Sequence, residues 1–112
     1  YAPRRKAAGM KEGLKMKTEN EHVIHEVPFP AGQIVVTRRI AGELNSLVIG
    51  HLFSRHLHCD WGELCEEDWK MNDAAVRNGE RLLSSYQAAG QKVFIITEWD
   101  RSVTTLLFAD EY

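Results

Sequence analysis

The C-terminal third of the chain constrains the fold more than any other part of the sequence. Residues 93–96 are Val-Phe-Ile-Ile, and an apolar run of this kind is typical of a strand covered on both faces. Residues 100–102 supply turn residues, and Val103–Phe108 follows as a strand that returns antiparallel. Residues 81–87 form a third candidate strand, and Gly90 marks the turn after it. The last third of the chain therefore predicts an antiparallel sheet.

The N-terminal half predicts a strand followed by helices. Gln33–Val36 is short and rich in β-branched residues, as strands are, and Thr37 is placed to cap a helix that starts at the next residue. Apolar residues then recur at the three- and four-residue spacing of a buried helical stripe: Ile40, Leu44, Leu47, Val48 and Leu52. A break is predicted near Asn45, where Ser46 would cap a second helix over residues 47–57.

A further helix is predicted to begin at Asp60. Its side chain can accept hydrogen bonds from free amides at a helix end, and Glu63 completes the spacing of a capping box. Gly79 is well placed to end this helix. Together these elements predict a single α+β domain over residues 21–112, a small three- to four-stranded, mostly antiparallel sheet with two or three helices packed on one face.

Charge is distributed unevenly along the chain. The net charge is −2, but residues 1–18 hold six Lys and Arg against one Glu, a local charge of +5 that leaves −7 for the rest. Residues 1–20 have no periodic apolar pattern and are predicted to form a disordered basic arm. Because an acidic domain repels phosphate, nucleic-acid contact is predicted only as weak, nonspecific binding through residues 4–17.

The sequence also bears on the compartment. No apolar run approaches the ~20 residues of a membrane-spanning helix, and no signal-peptide core follows the basic N-terminus. Two cysteines are too few for a disulfide scaffold. We therefore expect a cytoplasmic protein without membrane contact. Met16 would make an ordinary translation start, so we expect some of the residues before it to be leader or extension sequence.

Several short motifs give the chain a family resemblance over residues 32–112. They are Arg55-His56, Asp60-Trp61-Gly62, Glu67-Asp68 with Asn72, Gly79, Arg81, Ser84, Tyr86, the run from Ile95 to Thr105, and Glu111-Tyr112. In these motifs the chain resembles small bacterial plasmid-related and integrative-element proteins, some labelled restriction-modification subunits, a group without a settled activity. It departs from them at Cys59, where glycine is expected, and at residues 108–109, where leucine-proline is expected. The resemblance implies a mobile-element setting and little chemistry.

Four residues near the middle of the chain are of types that bind zinc: His56, His58, Cys59 and Cys65. Their spacing differs from that of zinc sites, since the adjacent His58 and Cys59 do not readily point at one ion. The alternative is a helix end with solvated histidines and a core cysteine at position 65. No metal or cofactor is therefore predicted.

A catalytic interpretation combines His56, Glu98 and Arg101. A histidine with a near-neutral pKa moves protons, a carboxylate orients it and an arginine holds a phosphate, as in a small nuclease-like enzyme. This grouping requires the chain near Asp60 to lie over the turn at Asp100. The structural alternative is that Asp60 caps a helix, Arg101 pairs with a carboxylate and His56 closes a helix.

The predicted partner-binding surface combines acidic and aromatic residues: Trp61, Glu66, Glu67, Asp68 and Trp99. The carboxylates would face a basic partner or only satisfy the dipole of a helix N-terminus, whereas exposed tryptophans often anchor partners. The leading hypothesis is a non-enzymatic accessory protein of a mobile element that acts through contacts with an unidentified protein, with a homodimer as one form. The alternatives are the nuclease-like enzyme and nucleic-acid binding through the arm.

Overall fold

A computed structural model describes residues 27–112. The predicted basic arm at residues 1–20, with its nucleic-acid contacts at residues 4–17, lies outside the described residues. Within residues 27–112 the elements are β1 Gln33–Val36, α1 Arg38–Glu43, α2 Ser46–Leu57, α3 Glu66–Asn78, β2 Leu82–Ala88, β3 Gln91–Thr97, β4 Val103–Phe108 and a 3₁₀ turn Ala109–Glu111. None of these helices is long and apolar enough to cross a membrane.

The strands form one mixed sheet in the order β1-β4-β3-β2. β3 pairs antiparallel with both of its neighbours, so Ile95 lies opposite Ser84 on β2 and Leu106 on β4. This confirms the central strand that the apolar run predicts. β1 instead runs parallel to β4, with Ile34 opposite Thr104. The α+β class and the mostly antiparallel sheet predicted from the sequence are confirmed.

Side chains alternate between the two faces of the sheet, because successive residues of a strand point to opposite sides. The inner face carries almost completely buried residues: Tyr86, Val93, Ile95, Leu106 and Phe108. α1 and α2 pack on this face through one apolar core, to which they contribute Ile40, Leu44, Leu52 and Phe53. A second buried cluster joins α3 to the same side through Phe29, Trp61, Ala75 and Leu82. Full burial of a large apolar side chain stabilises a fold by about 1.5–3 kcal/mol, so these two clusters hold the helices on the inner face.

Short polar side chains begin the first two helices. Thr37 Oγ1 accepts a hydrogen bond from the amide of Ile40 at 3.2 Å, which confirms the predicted cap of α1. α2 begins at the predicted break, but its cap is Asn45 and not Ser46. Asn45 Oδ1 accepts from the amide of Val48 at 2.9 Å. Asparagine satisfies a free helix amide as well as serine does, so the cap lies one residue before the predicted position.

α3 begins downstream of Asp60, so the predicted helix start there is wrong. The chain after Asp60 pairs with β2 instead. The amide of Glu63 donates to the Ser85 carbonyl at 2.7 Å, and the amide of Ser85 donates to the Trp61 carbonyl at 3.1 Å. Gly62 has a φ of 76° and lies so close to Ser85 that a side chain would not fit. The hydrogen bonds with β2 therefore prevent a helix from starting at Asp60. The capping pattern is local, so it does not predict a contact with a distant strand.

Residues in the left-handed conformation end α2 and α3. Gly79, with a φ of 70°, ends α3 as predicted. After the last residues of α2, Cys59 has a φ of 65°, and its amide donates a hydrogen bond to the His56 carbonyl at 3.0 Å. The amide of Asp60 donates to the Arg55 carbonyl at 2.9 Å, which completes a Schellman motif. Glycine is the usual left-handed residue of this motif, and it is also the residue that the family resemblance leads us to expect at position 59.

Candidate functional site

His56 of α2 points at the inner face of the sheet and is completely buried. Its Nδ1 makes a short hydrogen bond with Ser84 Oγ on β2, and its Nε2 lies 2.8 Å from Thr97 Oγ1 on β3. Thr97 Oγ1 lies 2.8 Å from Thr104 Oγ1 on β4. Thr104 donates to the carbonyl of Ala31 at 2.7 Å. A chain of hydrogen bonds therefore links α2 to three strands and to the loop before β1.

The direction of each hydrogen bond in this chain follows from its last member. The Ala31 carbonyl only accepts, so the Thr104 hydroxyl donates to it. Thr97 must then donate to Thr104, and Nε2–H of His56 must donate to Thr97. Nδ1 is left as an acceptor for the Ser84 hydroxyl. In the neutral imidazole, all of these hydrogen bonds are made when the proton is on Nε2.

Aromatic rings enclose His56 on its other sides. Its ring centroid lies 5.6 Å from that of Phe29 and 5.4 Å from that of Trp61, both edge to face. Burial, assisted by the positive charge of Arg101, lowers the pKa of His56 to about 3. The imidazole therefore stays neutral near pH 7, and neither ring nitrogen is available to a substrate. This is the geometry of a structural histidine.

Arg101 lies in the turn between β3 and β4, and its side chain hydrogen-bonds to the C-terminal end of α3. Its Nη2 donates to the Ala75 carbonyl at 3.0 Å, and its Nη1 donates to the Glu80 carbonyl at 2.6 Å. The guanidinium carbon also lies 5.6 Å from the centroid of the Phe29 ring. The predicted pairing with a carboxylate is therefore replaced by hydrogen bonds to main-chain oxygens, which carry partial negative charge at a helix C-terminus.

Glu98 lies on the opposite side of the sheet from His56. It follows the inward-pointing Thr97, so its side chain points away from the helices. Its Oε1 is 3.6 Å from Nε of Arg81, and the two side chains are 40% and 44% exposed. Of the predicted catalytic residues, His56 and Arg101 thus lie near the same Phe29 ring within the fold. Arg101 Nη1 also donates to the main-chain carbonyl of Glu98 at 3.2 Å, but the Glu98 carboxylate lies across the sheet from His56. The described residues do not bring the three together in one open site.

The residues of zinc-binding types are also dispersed. His58 Nδ1 donates to the Ser54 carbonyl at 2.7 Å, and Cys65 is exposed, so the predicted core cysteine at position 65 is wrong. Cys59 packs instead against the cluster around Trp61, and burial raises the pKa of its thiol to about 11. Within residues 27–112, no three His, Cys, Asp or Glu side chains converge on a position for a metal ion.

The predicted partner-binding residues divide into buried and exposed ones. Trp61 is completely buried and donates from Nε1 to Asp73 Oδ1 at 2.9 Å, so its predicted exposure to a partner is wrong. It is the large side chain that fills the space between α3 and the sheet. Trp99 is 66% exposed in the turn between β3 and β4. The carboxylates are exposed in the first turn of α3: Glu66, Glu67 and Asp68.

The face of the sheet opposite the helices, which we call the outer face, carries an apolar patch together with polar residues: Ser85, Lys92 and Thr105. Half-buried residues surround the buried Ile96 at its centre: Val35, Leu83, Phe94, Val103 and Leu107. The clusters that join the helices of residues 27–112 to the sheet lie on the inner side. Tyr112 contacts the outer face, with its ring centroid 5.8 Å from that of Phe94, and still remains 65% exposed. The apolar run at residues 93–96 indicated the outer-face residues of β3 in the sequence, but not what covers them.

Asn72 closes one edge of the sheet, a role that its sequence context does not reveal. Its Nδ2 donates to the Leu83 carbonyl at 2.7 Å, and the amide of Leu83 donates to Oδ1 at 3.4 Å. The side chain thus takes the place of a neighbouring strand along β2. The one signal in the sequence is a polar residue on an otherwise apolar stripe of α3, between Trp69 and Val76.

Comparison with models of protein families, with curated proteins and with solved structures finds no match to this chain. The resemblance to plasmid and integrative-element proteins therefore stays an expectation that rests on the short motifs. The functional argument depends on the geometry of residues 27–112, above all on which polar groups are occupied within the fold and which surfaces remain open.

Proposed function

We propose that this chain is a non-catalytic protein-interaction domain that binds a protein partner through its outer face. The observation that carries the proposal is the apolar patch on that face, where Val35, Phe94 and Leu107 lie on the side away from the helices and are only half-buried. A sheet face exposed to water normally alternates polar residues with the apolar residues of the core side. Contiguous apolar surface on a small domain favours contact with another protein.

Aromatic and charged side chains surround this apolar centre. Tyr112 lies across the outer face, and its hydroxyl accepts a hydrogen bond from Arg81 Nη1 at 2.8 Å. Arg81 also pairs with Glu98, and the exposed Trp99 follows in the adjoining turn. Tyrosine, tryptophan and arginine are the residues most enriched among those that dominate binding energy at interfaces. An apolar centre with a polar rim is the usual composition of such a surface.

The charge of the described residues favours a protein partner over a nucleic acid. Residues 27–112 contain eight Lys and Arg against twelve Asp and Glu, a net charge of −4. Glu66, Glu67 and Asp68 concentrate part of this charge at the start of α3, where they offer a second contact to a basic partner. A domain of this charge repels phosphate groups unless its cations are gathered on one side.

The resemblance to plasmid and integrative-element proteins supports a role as an accessory protein of a mobile element. The nuclease-like alternative has less support, because His56 is buried and Glu98 lies across the sheet from it. Weak nucleic-acid binding through residues 4–17 concerns a segment outside the described residues.

Site-specific photo-crosslinking in bacterial cells tests the proposal. A photoreactive amino acid replaces Leu107 on the outer face in one variant and Leu47, which is 83% exposed on α2, in a matched control. We expect mass spectrometry to identify a protein that cross-links at position 107 and not at position 47. With that protein purified, we expect Leu107→Glu to weaken binding at least tenfold and Leu47→Glu to leave it unchanged.

The outcome that overturns the proposal is equally definite. Either the same proteins cross-link at both positions, or the identified partner binds the Leu107→Glu variant as tightly as the wild type. Circular dichroism and urea denaturation of each variant establish that the fold is intact before binding is measured. Leu47→Glu places the same charge on the helical side of the domain, so it separates a local effect from a general effect of added charge.

A further inference from the structure

We propose that the side chain of Tyr112 is a lid on the outer face, which covers Ile96 in the unbound domain and turns away when a partner binds. What the opened face receives rests on the proposed function, whereas the lid itself is a property of this chain alone. The starting observation is that Ile96 is only 4% exposed, although it lies on the face away from the helices.

The neighbours of Ile96 on the outer face are all more exposed than Ile96 is. Leu83 and Thr105 lie opposite it on β2 and β4, and both are half-buried. Phe94 and Glu98, two residues before and after it on β3, are half-buried as well. Side chains that stand next to one another on a sheet shield their flanks and leave their tips open. The burial of Ile96 therefore indicates a further group above it.

Two contacts place the ring of Tyr112 at this position. Its centroid lies 5.8 Å from that of Phe94, on one side of Ile96. Its hydroxyl accepts a hydrogen bond from Arg81 Nη1 at 2.8 Å. Arg81 Nε lies 3.6 Å from the carboxylate of Glu98, on the other side of Ile96. The ring thus bridges the residues that precede and follow Ile96 on the outer face.

The turn that carries Tyr112 is fixed to α1 and its N-cap. Both carboxylate oxygens of Asp110 accept hydrogen bonds from Arg39, at 2.7 and 3.3 Å. Glu111 Oε1 accepts from Thr37 Oγ1 at 3.0 Å. Tyr112 itself is 65% exposed, and exposed side chains change rotamer rapidly. The lid therefore opens by rotation of the Tyr112 side chain, while residues 109–111 remain in place.

The surface beneath the lid determines what a partner brings to it. Leu83, Phe94 and Ile96 are apolar, so the partner side chain that replaces the ring is a large apolar one. The displaced ring stays beside the surface, because the turn that carries it is fixed. A site that is open for only part of the time binds more weakly in proportion to its open fraction. The lid therefore lowers the affinity of the outer face for every apolar ligand.

Methyl NMR of the full chain tests the cover without any partner. Tyr112→Ala is expected to shift the methyl signals of Ile96, because the ring current is lost, and to leave those of Ile40 in the inner core unchanged. Arg81→Ala keeps the ring but removes its donor, so it is expected to move the Ile96 signals in the same direction by a smaller amount. Lys92→Ala removes another exposed cation from the outer face and is expected to leave these signals in place.

Binding of the uncharged dye Nile red measures access to the face beneath the lid. Tyr112→Ala is expected to bind the dye at least about threefold more tightly than the wild type, with Arg81→Ala between the two. Adding Leu107→Glu to Tyr112→Ala is expected to reverse this gain, which locates the dye on the outer face. Trp99→Ala removes an equally exposed aromatic residue from the adjoining turn and is expected to give no gain.

Ile96 signals that stay in place in Tyr112→Ala would overturn the proposal, as would unchanged dye binding by that variant. Signals that move in Tyr112→Ala but not in Arg81→Ala would overturn the role of Arg81 in holding the lid closed. None of these measurements uses a partner. Failure here therefore leaves a cross-linking result at Leu107 standing, and the absence of a cross-linked partner leaves the lid standing.

Discussion

Arg101 Nη2 donates a hydrogen bond to the main-chain oxygen of Ala75 at 3.0 Å, which ties the turn between β3 and β4 to the last turn of α3. The same guanidinium reaches the Glu80 oxygen through Nη1. The Ala75 oxygen also accepts from the amides of Gly79 and Glu80, so the guanidinium adds a charged donor at the helix C-terminus, where a cation offsets the helix dipole. The side chain that the catalytic interpretation assigns to phosphate binding thus binds the C-terminal end of α3 instead.

Substitutions of Arg101 separate this contact from the backbone conformation of the same residue. Arg101→Ala is expected to lower the free energy of unfolding by about 2 kcal/mol, because charge-assisted hydrogen bonds are lost. Arg101→Gly is expected to cost about 1 kcal/mol less, because the residue has a φ of 60° and glycine adopts that conformation without strain. Urea denaturation measures both, with Lys92→Ala at an exposed position of β3 as the control. An Arg101→Ala variant as stable as the wild type would contradict the role.

The buried imidazole of His56 predicts a specific loss of stability in acid. Its pKa is lowered to about 3 in the folded chain, below the ordinary 6.5, so the unfolded chain binds a proton first as the pH falls. The free energy of unfolding therefore decreases from pH 6.5 towards pH 3, by up to about 1.4 kcal/mol per pH unit. Urea denaturation at several pH values from 7 to 4.5 measures this slope, above the range where the carboxylates take up most of their protons.

His56→Gln isolates the contribution of the imidazole. The variant is expected to be less stable at pH 7 by about 2 kcal/mol, because the buried hydroxyls lose a partner, and to have a shallower pH dependence. His51→Gln on the exposed side of α2 is the matched control and is expected to keep the wild-type slope. Equal slopes for the wild type and His56→Gln would show that the buried imidazole does not cause the acid sensitivity.

The local chemistry of the sequence predicts those parts of the fold that depend on neighbours in the chain. Val103–Phe108 lies between clear turn residues and forms β4 with the predicted bounds. Thr37 and Gly79 act through hydrogen bonds and backbone angles within a few residues of themselves, and both roles are confirmed. The helix start predicted at Asp60 is wrong although its spacing also fits a helix cap. The residues after Asp60 pair with Ser85 in a distant strand, and the local sequence does not reveal this contact.

The candidate site was harder to predict, because its residues meet only through tertiary contacts. The catalytic interpretation requires His56 and Arg101 to lie near each other, which the sequence alone does not show, and the structure places both near Phe29. It does not indicate that Ser84 and Thr97 occupy both ring nitrogens, since isolated hydroxyl residues in strands carry no such signal. Whether a polar residue is buried decides its role, and burial depends on the arrangement of the whole sheet.

Cys59 offers a test of backbone strain at the end of α2. Cys59→Gly removes the strain of the left-handed conformation, but it also removes the packing of the side chain. Each effect is about 1 kcal/mol and the two have opposite signs, so the free energy of unfolding is expected to stay near that of the wild type. Cys59→Ala keeps the strain and loses the packing, so it is expected to be about 1 kcal/mol less stable than Cys59→Gly. Thermal and urea denaturation give the order of the two variants. An alanine variant more stable than the glycine variant would contradict the assignment of strain to this position.

Asn72 carries a prediction about the edge of the sheet. Asn72→Leu places an apolar side chain of similar size on the buried stripe of α3 and leaves the amide and carbonyl of Leu83 without their partner. We expect the free energy of unfolding to fall by about 1–3 kcal/mol, since both groups then lie unpaired at the β2 edge. We also expect concentration-dependent association, because the strand gains free main-chain groups that pair with other chains.

Denaturation and light scattering together distinguish these two consequences of Asn72→Leu. Met71→Leu changes the neighbouring residue, which is 68% exposed, and is expected to affect neither measurement. Asn72→Asp is the informative intermediate, because a carboxylate still accepts from the Leu83 amide but cannot donate to the Leu83 carbonyl. If Asn72→Leu lowers stability without association, the side chain holds α3 against β2 but does not protect the edge. If it causes association at unchanged stability, protection of the edge is its main role.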